Sequence, residues 1–333
     1  MPVDIVLPWV DETDLSWLRD KKNYQEEVFG LEATGSSRFR DYGTLKYVFR
    51  SIEKYIPWIN NVFFVTTNHQ YPKWLNTEHS KLKLVDHSDF IPEKYLPTFN
   101  SSVITSNIFR IPGLSQQFII TNDDIFFNQT MNETDFFQDG LPVCSSEFDP
   151  IHPMGNFFSH IVLNDLELVA KHFSKQEIVA ANFRKFYTTK IGIRGLAKNL
   201  LLAPYKDLIG FKNFHLAAPY LKSTFEELMN VEGIAYEKSL ENKFRSINDV
   251  NEWAAQYWQV CTGDFIPTNS EKMGSFLEIS DLSKIQQEVT QSSHKILCIN
   301  DVSNLDDLKF DKIKTQVNRI FENKFPSKSS FEV

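Results

Sequence analysis

Hydrophobic positions in the first half of the chain alternate between two periods. Asp4 to Trp9 is a short apolar run of strand length, and Asn61 to Thr67 and Lys81 to Val85 repeat that texture. Between them, Leu45, Val48, Phe49, Ile52 and Ile56 recur every three or four residues, which predicts a helix over 40–56 closed by Pro57-Trp58. Pro72 to Asn76 reads as an ordered turn, and Ser101 to Arg110 as a short helix leading to a strand at Phe118 to Thr121. Strands separated by helices predict an α/β, Rossmann-like fold, with a mainly parallel sheet flanked by helices and buried on both faces.

After about Pro153 the texture changes. Residues 157–173, 175–186, 195–202, 220–231 and 249–260 show helical spacing, which predicts an inserted helical region packed beside the sheet. Lys295 to Asp301 again reads as a strand ending in a carboxylate, so the chain is expected to return to the sheet and bring Asp301 toward the first half. Residues 286–293 read as a polar loop and 325–333 as a frayed tail. The expected organisation is an α/β part over 1–153, the helical region over 154–290, the return over 291–324, and the tail.

Asn122-Asp123-Asp124 follows the Phe118 strand and precedes Ile125-Phe126-Phe127, which places two carboxylates at a strand end, where open α/β sheets bind ligands. Two hard oxygen ligands there suit Mg²⁺ or Mn²⁺ bound against a diphosphate; the bland reading is a pair that caps a turn. Trp9 and Asp11 stand at the first strand-to-loop junction, where nucleotide-binding sheets read base and ribose, unless they only fill core and cap.

Composition narrows these readings. At 333 residues and 42% hydrophobic, the chain can bury a sizeable core, in one large domain or two unequal ones. Its 35 Lys+Arg against 43 Asp+Glu argue against a nonspecific nucleic-acid binder. No basic region precedes the first apolar stretch, so that stretch reads as a strand and not a signal peptide. No run approaches the roughly 18 apolar residues of a membrane span. Cys144, Cys261 and Cys298, odd in number and widely spaced, read as reduced core thiols of a cytoplasmic protein, without a metal site of their own. The glycosylation-type triplets at Asn100, Asn128 and Asn132 then read as incidental, and His69, His79, His87, His152, His160, His172 and His294 show no zinc-like spacing.

Four blocks of sequence stand out. The first is Asp4-Ile5-Val6-Leu7-Pro8-Trp9-Val10-Asp11 with Asp14. The second runs from Arg38 to Phe127 and includes Arg40-Asp41-Tyr42-Gly43, Leu45-Lys46-Tyr47, Phe49-Arg50-Ser51, Leu96-Pro97-Thr98-Phe99, Arg110-Ile111-Pro112-Gly113 and Asn122-Asp123-Asp124. The third is His215, Pro219, Lys222 and Phe244-Arg245, and the fourth Asn300-Asp301. Together these blocks resemble the Stealth family of sugar-phosphate transferases.

The resemblance implies a GT-A-like fold and a metal-dependent transfer of hexose-1-phosphate from a UDP-sugar to a hydroxyl of a capsular or extracellular polysaccharide, with UMP leaving. It implies that Asp123, Asp124 and Asp301 hold Mg²⁺ or Mn²⁺, that Arg245 clamps phosphate, and that His215 moves a proton or contacts phosphate. Which of His215, Asp123 and Asp124 is the base stays open. Trp9, Val10 and Asp11 would touch the nucleotide, and one or two of Arg40, Lys46, Arg50 and Arg110 would reach the diphosphate. The partners implied are a nucleotide-sugar donor, a polysaccharide or oligosaccharide acceptor and a membrane capsule-assembly complex at the inner face, with no nucleic acid. Two departures predict shifted specificity: Thr105, Asn107 and Phe109 stand before Arg110, where many members carry a Glu and two His, and Glu12 stands where Gly is common. The alternatives are a GT-A glycosyltransferase, which would release UDP, and a non-catalytic carbohydrate-binding protein.

Overall fold

The computed structural model describes residues 1–25, 40–153, 157–302 and 305–333. Arg38, where the second block opens, lies outside the described residues. In chain order the first half gives β1 (Val3–Pro8), α1 (Leu15–Gln25), α2 (Leu45–Tyr55), β2 (Val62–Thr66), β3 (Leu82–Asp86), α3 (Ser101–Asn107), β4 (Gln117–Ile120), β5 (Ile125–Phe127), β6 (Phe137–Gln138) and β7 (Leu141–Cys144). There follow α4 (Phe157–Ala170), α5 (Lys175–Phe186), α6 (Gly192–Leu201), β8 (Ala218–Leu221), α7 (Lys222–Leu240), α8 (Trp253–Thr262), β9 (Ile266–Pro267), α9 (Ser270–Met273), β10 (Gly274–Glu278), α10 (Leu282–Gln291), β11 (Ile296–Asn300) and α11 (Asp307–Lys324).

The main sheet runs β3-β2-β1-β4-β8, parallel except for β8, so the mainly parallel α/β architecture is as expected. Its inner strands β1, β2 and β4 are buried on both faces because both are covered. Ile5 and Leu7 of β1, with Phe64 of β2, join the core under α2, α10 and α11, while Val6, Phe63 and Val65 join the core under α3, α4, α7 and α8. A second sheet, β10-β11-β5, stands beside the first. Its β10 starts at Gly274, where a Cβ would lie 2.5 Å from the Ile296 carbonyl and 2.7 Å from the Leu216 side chain.

Four expectations need correction. The returning strand pairs in this second sheet and not in the main one. The polar stretch at 286–293 is mostly helix, because Ile285 and Val289, four apart, pack α10 into the core and leave the polar residues outside. Tyr220 lies in β8, and the helix begins only at Lys222. The segment 325–333 is not frayed: Phe331 packs on Phe49 at 5.3 Å, Val333 N–H donates to the Trp74 carbonyl, and Leu75 pairs with Glu332.

That segment is held by charge as well. Arg50 binds Glu332 in a fork, Nε to Oε1 at 2.7 Å and Nη2 to Oε2 at 2.8 Å, and its Nη1 donates to the Phe325 carbonyl. The two side chains are only 7% and 3% exposed. Burial alone would raise the Glu332 pKa, but Arg50 and Ser329 hold it below its ordinary value. The pair therefore stabilises the fold above the unfolded-state pKa of Glu332, and that contribution is lost as pH falls through the depressed folded-state value. Removing one partner should cost about 3–5 kcal/mol, because the other charge stays buried and unpaired. Urea unfolding of Glu332→Gln and Arg50→Ala at pH 7 measures this; a change below about 1 kcal/mol would show the pair to be incidental.

Candidate active site

The chain leaves the main sheet at Ile120 and enters the second at Ile125, so Asn122, Asp123 and Asp124 form the turn joining the two, closed by Ile125 N–H to the Asn122 carbonyl. The turn is fixed from both sides. Thr121 N–H donates to Val6 on β1, and Ile299 N–H of β11 donates to the Asp124 carbonyl. Because β5 and β11 are antiparallel with Cys298 opposite Ile125, the end of β11 lies against the acidic turn. The Cys298 thiol accordingly reaches Asp124 Oδ2 at 3.5 Å, while Asp124 Oδ1 is buried with no hydrogen-bond partner.

His215 arrives from the opposite side. The antiparallel pairing of β8 with β4 sets Ala218 against Ile120, so the residues just before β8 reach the carboxyl end of β4. One ligand atom each of Asp124, His215 and Cys298 fall within 4.8 Å of one another. The His215 ring stands edge-on to Phe276, 6.1 Å between centroids.

Arg245 follows α7 and is steered by its neighbour. Phe244 stacks on Phe99 at 5.1 Å in a small apolar cluster with Trp17, against which Val10 and Tyr24 pack, so the first three sequence blocks meet there. Arg245 Nε and Nη2 then donate to Ser101 Oγ at 3.1 and 2.7 Å, at the start of α3.

The electrostatics are those of an anionic pocket short of countercharge. Burial pushes Asp123 up to about 7, with the Asp124 and Asp41 carboxylates adding to the rise. Burial also raises Asp124, opposed by His215, the Cys298 thiol and Arg245. Asp301, just beyond β11, is raised by burial against the pull of the Tyr42 hydroxyl, which donates to Oδ1 at 2.5 Å. Arg40 Nη1 sits 3.8 Å from Asp301 Oδ2, and neither atom has a hydrogen-bond partner. Burial and the nearby carboxylates drive the Cys298 thiol well above its ordinary value, so it stays protonated as a donor. Carboxylates with unpartnered buried oxygens beside an imidazole can hold a divalent cation, and the nitrogen ligand suits Mn²⁺ at least as well as Mg²⁺.

Three cations assigned to the diphosphate lie elsewhere. Arg50 is consumed by Glu332 and Phe325. Lys46 extends over the Tyr47 ring toward Glu322, 4.0 Å away, on the outer side of α2. Arg110 packs over the Phe109 ring, which stacks on Phe225 of α7, and forms no ion pair among the described residues. Arg40 alone of the four is near the site. Trp9 is buried and stacked on Phe64 at 5.6 Å, and Asp11 caps the backbone of Thr13, which is the bland reading of both. Asp41, Tyr42, Ser101 and Cys298 are site residues that the sequence reading passed over. The first two lie in the second block, where a tyrosine and an acid at a helix start carry no signal of their own, and the thiol reads from sequence as core packing.

Because the folded-state pKa of Asp123 lies above its unfolded value, its contribution to stability is present at low pH and lost as pH rises through about 7. Thermal unfolding in a chelator should therefore show the wild type falling from pH 5 to pH 8 more steeply than Asp123→Asn, with Mg²⁺ or Mn²⁺ restoring the wild type at pH 8. Parallel profiles for the two proteins would refute the assignment.

Residues 38–143 match Stealth protein CR2, conserved region 2. Over 99% of its length the chain is 40% identical to the capsular polysaccharide phosphotransferase WcwK of Streptococcus pneumoniae, across 98% of that protein. It is 36% identical to the receptor polysaccharide phosphotransferase WefC of Streptococcus gordonii, with 99% of each chain covered, and 35% identical to the exopolysaccharide phosphotransferase cps2G of Lactiplantibacillus plantarum, with 99% and 96% covered. Among solved structures, the galactosyltransferase LgtC aligns over 95% of both chains at 8% identity and a TM-score of 0.39. Sequence identity of 35–40% over nearly the whole chain, with the family's second conserved region in place, shows that this protein belongs to the Stealth family of polysaccharide phosphotransferases.

Proposed function

We propose that the chain transfers a hexose-1-phosphate or N-acetylhexosamine-1-phosphate unit from a UDP-sugar to a sugar hydroxyl of a capsular or extracellular polysaccharide. The observation that carries this reading is the meeting of Asp124, His215 and Cys298, from three distant segments, within 4.8 Å at the junction of two sheets, with the positive charge of Arg245 acting on Asp124. Full-length similarity to phosphotransferases supports the reaction class.

The acceptor oxygen attacks the sugar-linked phosphorus, the bridging P–O bond breaks, and the electron pair leaves on the phosphate of UMP. His215 or an ionised Asp of the turn takes the acceptor proton. Arg245, oriented by Ser101, would bring its positive charge to the phosphoryl oxygens, whose charge must be met by fixed donors. Asp124 with His215, and Asp123 next to them in the turn, would hold Mg²⁺ or Mn²⁺, which when bound neutralises diphosphate charge; Asp301, bound by Tyr42, stands outside the close group of Asp124, His215 and Cys298. Arg40, next to Asp301, is placed to balance that carboxylate until substrate arrives.

Asp124→Asn should lower turnover by about 10²- to 10³-fold with the fold intact, the effect of losing several kcal/mol of transition-state stabilisation. Near-normal turnover with unchanged metal dependence would remove Asp124 from the chemistry.

Incubation of purified protein with Mg²⁺ or Mn²⁺, a panel of nucleotide sugars and capsule oligosaccharides should release UMP and give a ³¹P phosphodiester signal in the product. Release of UDP with a phosphate-free product would instead establish glycosyl transfer, in which the anomeric C–O bond breaks.

A further inference from the structure

The helix α6 is amphipathic the wrong way round. Its inward positions are Gly195 and Asn199. Asn199 is latched by polar bonds, Nδ2 to the carbonyls of Ser146 and Phe186 and Oδ1 from Phe148 N–H. Ile193, Ala197, Leu200 and Leu201, spaced on one stripe, face solvent; Ile193 is 82%, Leu200 56% and Leu201 77% exposed. Phe183 at the end of α5 and Tyr205 beyond α6 add exposed aromatics on either side in sequence. A contiguous apolar face of this kind is left in water only where something covers it.

Charge indicates what does. From residue 178 to 206 there are six cations, Arg184, Lys185, Lys190, Arg194, Lys198 and Lys206, and no Asp or Glu, in a chain of net charge −8. Lys185 is spent on the carbonyls of Gly263 and Phe265, and Lys198 on Glu147 and Asp149. Arg184, Lys190, Arg194 and Lys206 are exposed and form no ion pair among the described residues, although Arg194 feels Glu271 nearby.

We propose that this surface docks on an anionic lipid bilayer, with the α6 stripe, Phe183 and Tyr205 entering the headgroup boundary and the four exposed cations contacting acidic headgroups. Among the described residues no helix is long and apolar enough to cross a membrane, so the helix lies on the bilayer and does not span it. The inference is independent of the reaction assigned to the acidic turn.

Sedimentation with phosphatidylcholine vesicles, with and without phosphatidylglycerol, tests it on the full chain. The wild type should bind only the anionic vesicles and release as salt rises. Lys190→Glu with Arg194→Glu should weaken partition by on the order of fivefold or more per cation. Ile193→Asn with Leu201→Asn should abolish it, with circular dichroism and melting unchanged in both variants. No sedimentation of the wild type at low salt, or equal binding by the variants, would overturn the proposal. So would a dimer in light scattering that the Ile193/Leu201 variant converts to monomer while vesicles bind neither.

Discussion

The hydrogen bond from Ile299 N–H to the Asp124 carbonyl is the constraint on which the rest of the site depends. It locks the last element of the second sheet to the turn leaving the first, and so decides where two carboxylates, a thiol and a further acid end up. Without the β5–β11 register, Asp123 and Asp124 would be an exposed turn with ordinary acidity. With it they are half-buried side by side, and the repulsion that follows is what a multivalent cation would relieve. The fold thus spends stability locally to preorganise an anionic pocket, the common arrangement at catalytic centres.

Much of this architecture is readable from pattern alone, because α2 repeats apolar residues at helical spacing and β1, β2 and β4 are mostly apolar runs. Local periodicity reports whether a segment is covered on one face or two. It cannot report partners. Arg50 looks like a phosphate ligand on an exposed helix until Glu332, 282 positions away, is found beneath it. Cys298 looks like core packing until its register places it on Asp124, 174 positions earlier. The tail reads as polar and terminal, yet Phe331 docks it against Phe49 and His79, and Glu332 against Arg50, contacts that no local rule predicts. Of the candidate site, the residues tied to strand ends were legible, and those chosen for charge on a helix were not.

The two aromatic and charged anchors also divide the labour of the molecule. Phe99, Phe244 and Trp17 tie the helical region to the carboxyl edge of the main sheet and set the direction of Arg245. The Arg50–Glu332 fork closes the opposite layer, under α2 and α11, far from any chemistry. One anchor positions the site and the other holds the core.

Gly274 gives the site a lever that acts from behind. Strand β10 can press against Ile296 and Leu216 only because that position has no side chain, and Leu216 is the residue next to His215. Any side chain at 274 would meet the Ile296 carbonyl of β11 and the Leu216 methyls, and so strain the strand pair that backs the acidic turn. The geometry around His215 is therefore constrained by a position that never touches it, through the packing of its neighbour Leu216 against β10.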